Sequence, residues 1–285
     1  MRRIVVQSNA KINICLDITG QREDGYHTLD MVMVPVALHD TLVIEEYPKA
    51  IDNFVTLDDF NCEMSEFNTV TKALDSLKEL KPYDNKFKID MHKVIPMKAG
   101  LGGGSSNAAF VLKTINNFVK LGIPEEKLLE VATSIGADVP FFIKNVPARC
   151  QGIGDEMTPI RIKNNYYVLI VKPEAGCPTQ NVYKLCDKNK NWPHGNVETV
   201  IKALEEGDDE LLAKSVFNVM EKAAISMVPE IQVIKDKLYE LGLKIVLMSG
   251  SGSSVFALSA NKKLIKNAMK KLENKYNVIM TTIIK

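Results

Sequence analysis

The 285-residue sequence is short of cysteine, has no long apolar run and no excess of either charge, and each shortage excludes a class of protein. Its five cysteines, Cys15, Cys62, Cys150, Cys177 and Cys186, are odd in number, and no two are spaced C-x-x-C. The histidines His27, His39, His92 and His194 stand singly. Neither a disulfide framework nor a structural zinc site is expected, and free thiols in a reducing, cytoplasmic setting are. The longest uninterrupted apolar run, Tyr166–Val171, is six residues, against about 20 for a bilayer span. The first nine residues carry two arginines with no apolar core behind them, so no signal peptide is expected. Thirty-six Lys+Arg balance thirty-five Asp+Glu, a formal charge of +1, so capture by nucleic acid or an anionic membrane is not expected. Lys262, Lys266 and Lys270 form a basic helix face, but without interleaved aromatics it reads as a solvated one. Repeats and low-complexity tracts are missing too.

What remains is an ordinary globular composition, 46 % hydrophobic and 25 % charged, able to bury a sizeable core. The length suits two domains. Alternation predicts a strand at 12–18 with Ile12, Ile14, Leu16 and Ile18 on one face, which leaves Lys11, Asn13 and Asp17 on the other. Met31–Leu38 and Thr41–Ile44 continue the apolar pattern, and Phe87–His92 alternates again. Helical spacing predicts helices at 69–80, at 124–135 with Gly136 at the stop position, and after the Gly/Ser loop at 100–106. Farther on, helices are predicted near 196–206, 210–223, 229–241 and 262–276, and strands at 166–171, 244–248, 255–258 and 279–284. The polar segment Arg161–Asn165 places a domain boundary between residues 162 and 163. The predicted architecture is α+β in two domains, 1–162 and 163–285.

Four glycines fall within the five residues Gly100–Gly104, followed by Ser105 and Ser106 and an amphipathic helix. Such a backbone can adopt positive φ and lie close against a ligand, and the N–H groups and positive dipole end of the helix suit phosphate. No Gly-Lys-Ser/Thr closes the loop, and its glycines do not read G-x-G-x-x-G, so it is neither a Walker A loop nor a dinucleotide fingerprint. Taken alone, a flexible turn with a serine cap is an equal reading. Asp138 lies between Gly136 and Pro140 in an apolar segment, where a carboxylate is either a turn-former or a functional group. A second glycine loop, Ser249–Ser254, lies between two strand-like runs and by itself reads as a hairpin.

Taken together, Ala10-Lys11-Ile12-Asn13-Ile14, Arg22-Glu23-Asp24-Gly25-Tyr26-His27, the stretch Pro96–Ser106, Gly136-Ala137-Asp138-Val139-Pro140-Phe141-Phe142, Gly152-Ile153-Gly154-Asp155 and Ser249-Gly250-Ser251-Gly252 resemble the GHMP small-molecule kinases. The motifs recur in that family's order from residue 10 to residue 258. The resemblance implies an N-terminal domain like domain 2 of ribosomal protein S5 and a ferredoxin-like C-terminal domain. It further implies ATP-dependent phosphorylation of the 2-hydroxyl of a cytidylyl-methylerythritol in non-mevalonate isoprenoid synthesis, with Mg2+ accompanying ATP. The Asp24–His27 segment favours that substrate over a homoserine- or mevalonate-type alcohol. Lys11 and Asp138 argue against a catalytically silent nucleotide-binding relative.

By matching motif, Asp138 would accept or orient the hydroxyl proton, with Lys11 beside it favouring the alkoxide. Pro96, Gly100, Leu101, Gly102, Gly103, Gly104, Ser105 and Ser106 would bind ATP, with Gly100–Ser106 around its phosphates, and Asn68, which reads equally as a helix cap, would lie near the adenine. Asn13, Tyr26, His27, Thr179 and Tyr183 would contact the cytidylyl substrate, Tyr183 by stacking on cytosine. No side chain is assigned to metal. Three residues depart from the resembled pattern: Asn107 for a common aspartate, Val219 for a frequent acidic residue, and Asp155 for a frequent glutamate. The first removes a negative charge near the triphosphate.

Overall fold

A computed structural model describes residues 2–57, 69–188 and 194–285. In chain order they form β1 (Arg3–Gln21), β2 (His27–Glu46), β3 (Phe54–Leu57), α1 (Thr69–Leu80), β4 (Phe87–His92), α2 (Gly103–Phe118), α3 (Glu125–Ile135), α4 (Val139–Lys144), β5 (Ala148–Gly152), β6 (Glu156–Pro159), β7 (Tyr167–Lys172), α5 (Thr179–Lys188), α6 (Val197–Glu206), α7 (Asp209–Ser215), β8 (Phe217–Asn218), α8 (Glu221–Met227), α9 (Glu230–Glu240), β9 (Ile245–Met248), β10 (Val255–Ser259), α10 (Lys262–Leu272) and β11 (Asn277–Thr282). The expected mixture of strands and helices in both halves is met. Among the described residues no helix is long and apolar enough to cross a membrane.

The chain forms two compact units built from interleaved segments. The first comprises the N-terminal residues to Ala10, Leu38–Ile95 and Gly102–Asn145. In it the second half of β2 pairs antiparallel with β4, Thr41 opposite His92 and Glu46 opposite Phe87, and β3 adds parallel to β4. Helix α1 buries Val70, Ala73, Leu74 and Leu77, the four positions at helical spacing, and packs on α2. Ala108, Val111, Leu112 and Ile115 form the buried stripe of α2. Phe87 is fully buried, with the rings of Tyr83 and Phe118 packed against it.

The second unit comprises Lys11–Ala37, Pro96–Leu101 and Val146–Lys285. Its four-stranded antiparallel sheet runs β11-β7-β10-β9, with Val171 opposite both Val255 and Val278. The inner strands β7 and β10 read Val168–Val171 and Val255–Leu258, continuous buried apolar runs as expected of strands covered on both faces. Helices α9 and α10 pack on this sheet. The first half of β2 pairs with β5, β6 extends β5, and β8 lies parallel to β1 with Cys15 opposite Phe217.

Several elements differ from expectation, and β3, α4, β5 and β6 lie where none is predicted. The helix predicted at 210–223 is two helices, α7 and α8, separated by β8. Val216 turns extended (φ −62°, ψ 134°), and Asn218 fixes the break by donating to the carbonyls of Met248 and Gly250 while accepting from the Met220 N–H. Helix α5, which carries Tyr183, lies where no element is predicted. Only Val182 and Cys186 of that helix are buried, too thin a stripe for periodicity to reveal.

Candidate active site

In the second unit, the alternation of β1 delivers Lys11 and Asn13 to one face, both almost fully buried (3 % and 1 % exposed). The Lys11 ammonium donates to Asn13 Oδ1 at 2.7 Å, and its backbone N–H donates to the Leu101 carbonyl at 3.0 Å. Ser249 Oγ accepts from the Asn13 N–H (3.3 Å) and donates to the Gly100 carbonyl (2.9 Å). The two glycine motifs are thereby interlocked on β1. Gly100 has φ +72°, and a Cβ there would lie 2.0 Å from the Ser249 carbonyl oxygen, so no other residue fits. A Cβ on Gly250 would meet Lys11 Nζ at 3.1 Å and Asn13 Oδ1 at 3.4 Å. Thr179, at the start of α5, shares a hydrogen bond with Ser251 Oγ at 2.9 Å. Thus Lys11, Asn13, Gly100, Leu101 and Thr179, chosen from sequence, gather around the Ser249–Gly252 turn.

A second group of substrate candidates lies in the same unit. Asp24 accepts from the Tyr26 N–H and Gly25 adopts φ +87°, a turn that leaves Tyr26 60 % exposed and directs His27 onto β2. The His27 ring stacks on Tyr183 with centroids 4.6 Å apart and planes 21° from parallel. Its Nε2 lies 2.6 Å from Asp187 Oδ1, one helical turn beyond Tyr183. Tyr26 is no part of this stack. Pro96 lines a separate cavity of about 470 Å³ with Met97, Lys172 and Lys275.

The remaining candidates belong to the first unit. Gly102 is the N-cap of α2 in the left-handed region (φ 72°), so Gly103, Gly104, Ser105 and Ser106 form the helix's first turn rather than a loop. A Cβ on Gly103 would be tight, 3.0 Å from Ile95 Cγ2 and 3.1 Å from Lys93 Nζ, so those two side chains would have to give by a few tenths of an ångström. First-turn N–H groups have no intrahelical acceptor and lie at the positive end of the dipole. Ser106 Oγ is buried and has no hydrogen-bond partner among the described residues. Thr69 Oγ1 donates to the Gly104 carbonyl at 3.0 Å. Asn68, just before it, lies outside the described residues.

Asp138 is the N-cap of α4, with φ −85° and Pro140 following in the first turn. Its carboxylate makes no capping hydrogen bond. Phe141 and Phe142, edge to face at 5.2 Å and fully buried, anchor the short helix that carries it. Lys11 and Asp138 belong to different units, each with its own surroundings as described.

Some contributors escaped sequence reasoning. Asn218 steadies the second glycine turn through Gly250, and Glu221 accepts from the Met248 N–H at 3.1 Å while paired with Lys235. Asn107 faces inward, hydrogen-bonded to Ser8 and Asp40. Asn218 carries a signal, a single polar residue within the apolar run 216–220, whereas Glu221 adjoins Lys222 and Asn107 adjoins Ser106. Asp155 accepts from the Ile153 N–H and closes the β5–β6 turn, while Val219 is buried. The four described cysteines are free thiols; burial pushes Cys15 up to about 12 and Cys186 up to about 11. Among the described residues, no group of three or more His, Cys, Asp or Glu is arranged to hold a metal ion.

Comparison with known proteins fits this geometry. The GHMP kinases N terminal domain matches residues 68–145, and the GHMP kinases C terminal domain matches residues 200–278. The chain is 37 % identical over 269 residues to the 4-diphosphocytidyl-2-C-methyl-D-erythritol kinase of Caldicellulosiruptor bescii, covering 94 % of this chain and 92 % of the relative. It is 35 % identical over 276 residues to the enzyme of the same name from Clostridium botulinum (strain Kyoto / Type A2), covering 97 % and 98 %. A crystal structure of 4-(cytidine 5'-diphospho)-2C-methyl-D-erythritol kinase superposes with a TM-score of 0.82 at 29 % identity, covering 99 % of this chain and all of that one.

Proposed function

The chain belongs to the GHMP kinases, and from that membership we propose that it transfers the terminal phosphoryl group of ATP to the 2-hydroxyl of 4-diphosphocytidyl-2-C-methyl-D-erythritol, within non-mevalonate isoprenoid precursor synthesis. The observation that carries this reading is 35–37 % identity, over nearly the whole chain, to relatives bearing that activity in their names. Phosphoryl transfer asks a protein mainly for alignment and for charge stabilisation. The loop Gly100–Gly102 and the first turn Gly103–Ser106 supply N–H donors for the phosphates, and Pro96 and Asn68 remain ATP-binding candidates by matching motif. Asp138 takes the proton of the attacking hydroxyl, and Lys11 stabilises the developing alkoxide. Asn13 holds the Lys11 ammonium by its amide oxygen, which supports a fixed position for that cation.

At the other end of the substrate, His27 and Tyr183 offer aromatic surface to the cytosine ring, with Tyr26, Asn13 and Thr179 as further contacts. Magnesium takes oxygen ligands, keeps several waters, and is commonly held by substrate phosphates with one or two protein groups. The Ser106 hydroxyl at the foot of α2, without a hydrogen-bond partner among the described residues, is a protein oxygen that fits such an ion, and no dedicated side-chain cage is needed. The ion would neutralise phosphate charge. The division between N- and C-terminal kinase domains is placed at 162/163, a position flanked by the two matched family segments.

Purified protein with ATP and a panel of alcohols tests the assignment. The expected product is the 2-phosphate of the cytidylyl alcohol. Phosphorylation of homoserine or mevalonate alone would overturn the substrate while leaving the kinase class.

A further inference from the structure

Asp40 lies on β2 with no solvent exposure and has no part in the chemistry above. Its carboxylate nonetheless gathers four donors, all within the first unit. Oδ1 accepts from the backbone N–H groups of Val94 and Ile95, each at 2.8 Å. Oδ2 accepts from Asn107 Nδ2 at 3.1 Å and pairs with the Lys93 ammonium. Asn107 accepts in turn from the buried Ser8 hydroxyl at 2.5 Å. Val94 and Ile95 run directly into Pro96, where the glycine segment begins, and Asn107 directly follows Ser106, where it ends. Lys93 Nζ reaches the foot of α2, 3.1 Å from where a Cβ on Gly103 would be. One buried carboxylate therefore ties together the residues on both sides of the glycine segment.

An ionised group this deep is stable only when charge-paired and fully hydrogen-bonded, so the network tolerates little displacement of any donor. We propose that Asp40 is a positioning residue of the kinase reaction: it fixes the two flanks of the glycine segment so that the N–H groups at the start of α2 present one geometry to the ATP phosphates. The proposal rests on reading Gly100–Ser106 as the phosphate-binding segment. It also accounts for Asn107. The amide donates to Asp40 and accepts from Ser8 at once, whereas an aspartate would set a second carboxylate against the first, which like-charge repulsion opposes. The identity of residue 107 is thus set by its buried partners.

The test compares wild type, Asp40→Asn and the reciprocal Asp40→Asn/Asn107→Asp in steady-state kinetics, in calorimetric binding of a non-hydrolysable ATP analogue, and in thermal unfolding. Asp40→Asn is expected to raise KM for ATP and weaken analogue binding by about tenfold or more, with KM for the alcohol substrate little changed. The reciprocal variant restores a donor–acceptor pair and a carboxylate for Lys93, so it is expected to recover ATP affinity to within about threefold. A folded Asp40→Asn enzyme with unchanged ATP affinity overturns the proposal, as does a folded reciprocal variant without recovery. Should Asp40→Asn not fold, Asn107→Ala gives the decision: loss of ATP affinity with alcohol KM retained supports the role, and unchanged ATP affinity overturns it. Wild-type binding of the analogue is measured first; its absence would refute the phosphate-segment reading itself, separately from the role of Asp40.

Discussion

An aspartate heading a helix ordinarily accepts from the N–H groups of the first turn; Asp138 heads α4 and makes no such bond. Replacing it with asparagine therefore removes charge without uncapping the helix. Asp138→Asn is expected to retain ATP affinity and folding while kcat falls at least about a hundredfold, and near-normal turnover would refute the base assignment. Gly100 is constrained by backbone on both counts, its own positive φ and the Ser249 carbonyl 2.0 Å from a would-be Cβ. Gly100→Ala should cost more than about 2 kcal/mol in a urea titration, because no side chain can swing aside to relieve the clash. Tyr183→Ala should raise KM for the cytidylyl substrate by about tenfold, the worth of a lost aromatic stack, with KM for ATP unchanged. An unaltered alcohol KM would remove Tyr183 from the substrate site. Lys11, Asp138 and the glycines each stand in a short, ordered motif, which is what singles them out as candidates in the sequence. Asp40 and Asn218 could not be picked out, since a polar residue in a strand announces nothing about partners that arrive from distant segments.

Among the elements, α1 was legible from spacing because Val70, Ala73, Leu74 and Leu77 fill one face and all are buried. The interruption between α7 and α8 was hidden because Leu212, Val219, Met220 and Ala224 keep a plausible helical rhythm across it, while the break depends on long-range bonds from Asn218. Those bonds give the break a measurable consequence. Asn218→Ala removes two donated bonds and leaves the Met220 N–H without its acceptor, which should destabilise the fold by about 1–3 kcal/mol. Amide exchange at 249–254 should quicken selectively, and uniform exchange across β9, β10 and the turn between them would show that Asn218 does not hold the turn.

Across the whole molecule, composition excluded more than it selected, and the order of motifs along the chain carried the family. The unit organisation was illegible because strand periodicity does not say which half of β1 or β2 packs with which partner. Scarce cysteine has a consequence at this scale. Burial raises Cys15 from its ordinary value of 9.0 to about 12 in the folded chain, so above pH 9 the unfolded chain sheds a proton that the native one keeps. Stability is then full below about pH 9 and declines between pH 9 and 12, by up to about 1.4 kcal/mol per pH unit for this thiol. Cys15→Ala should lose that part of the alkaline slope in denaturant melts; an identical slope would show that the thiol does not titrate this way. The interleaving of the units also bears on how the chain is made and inherited. Every segment of the first unit has left the ribosome once Asn145 emerges, whereas the second still waits for Val146–Lys285 with its strands Lys11–Gln21 and His27–Ala37 already synthesised. A single genetic crossover just after Asn145 therefore keeps the first unit whole but divides the second, because Lys11–Ala37 and Pro96–Leu101 travel with the first.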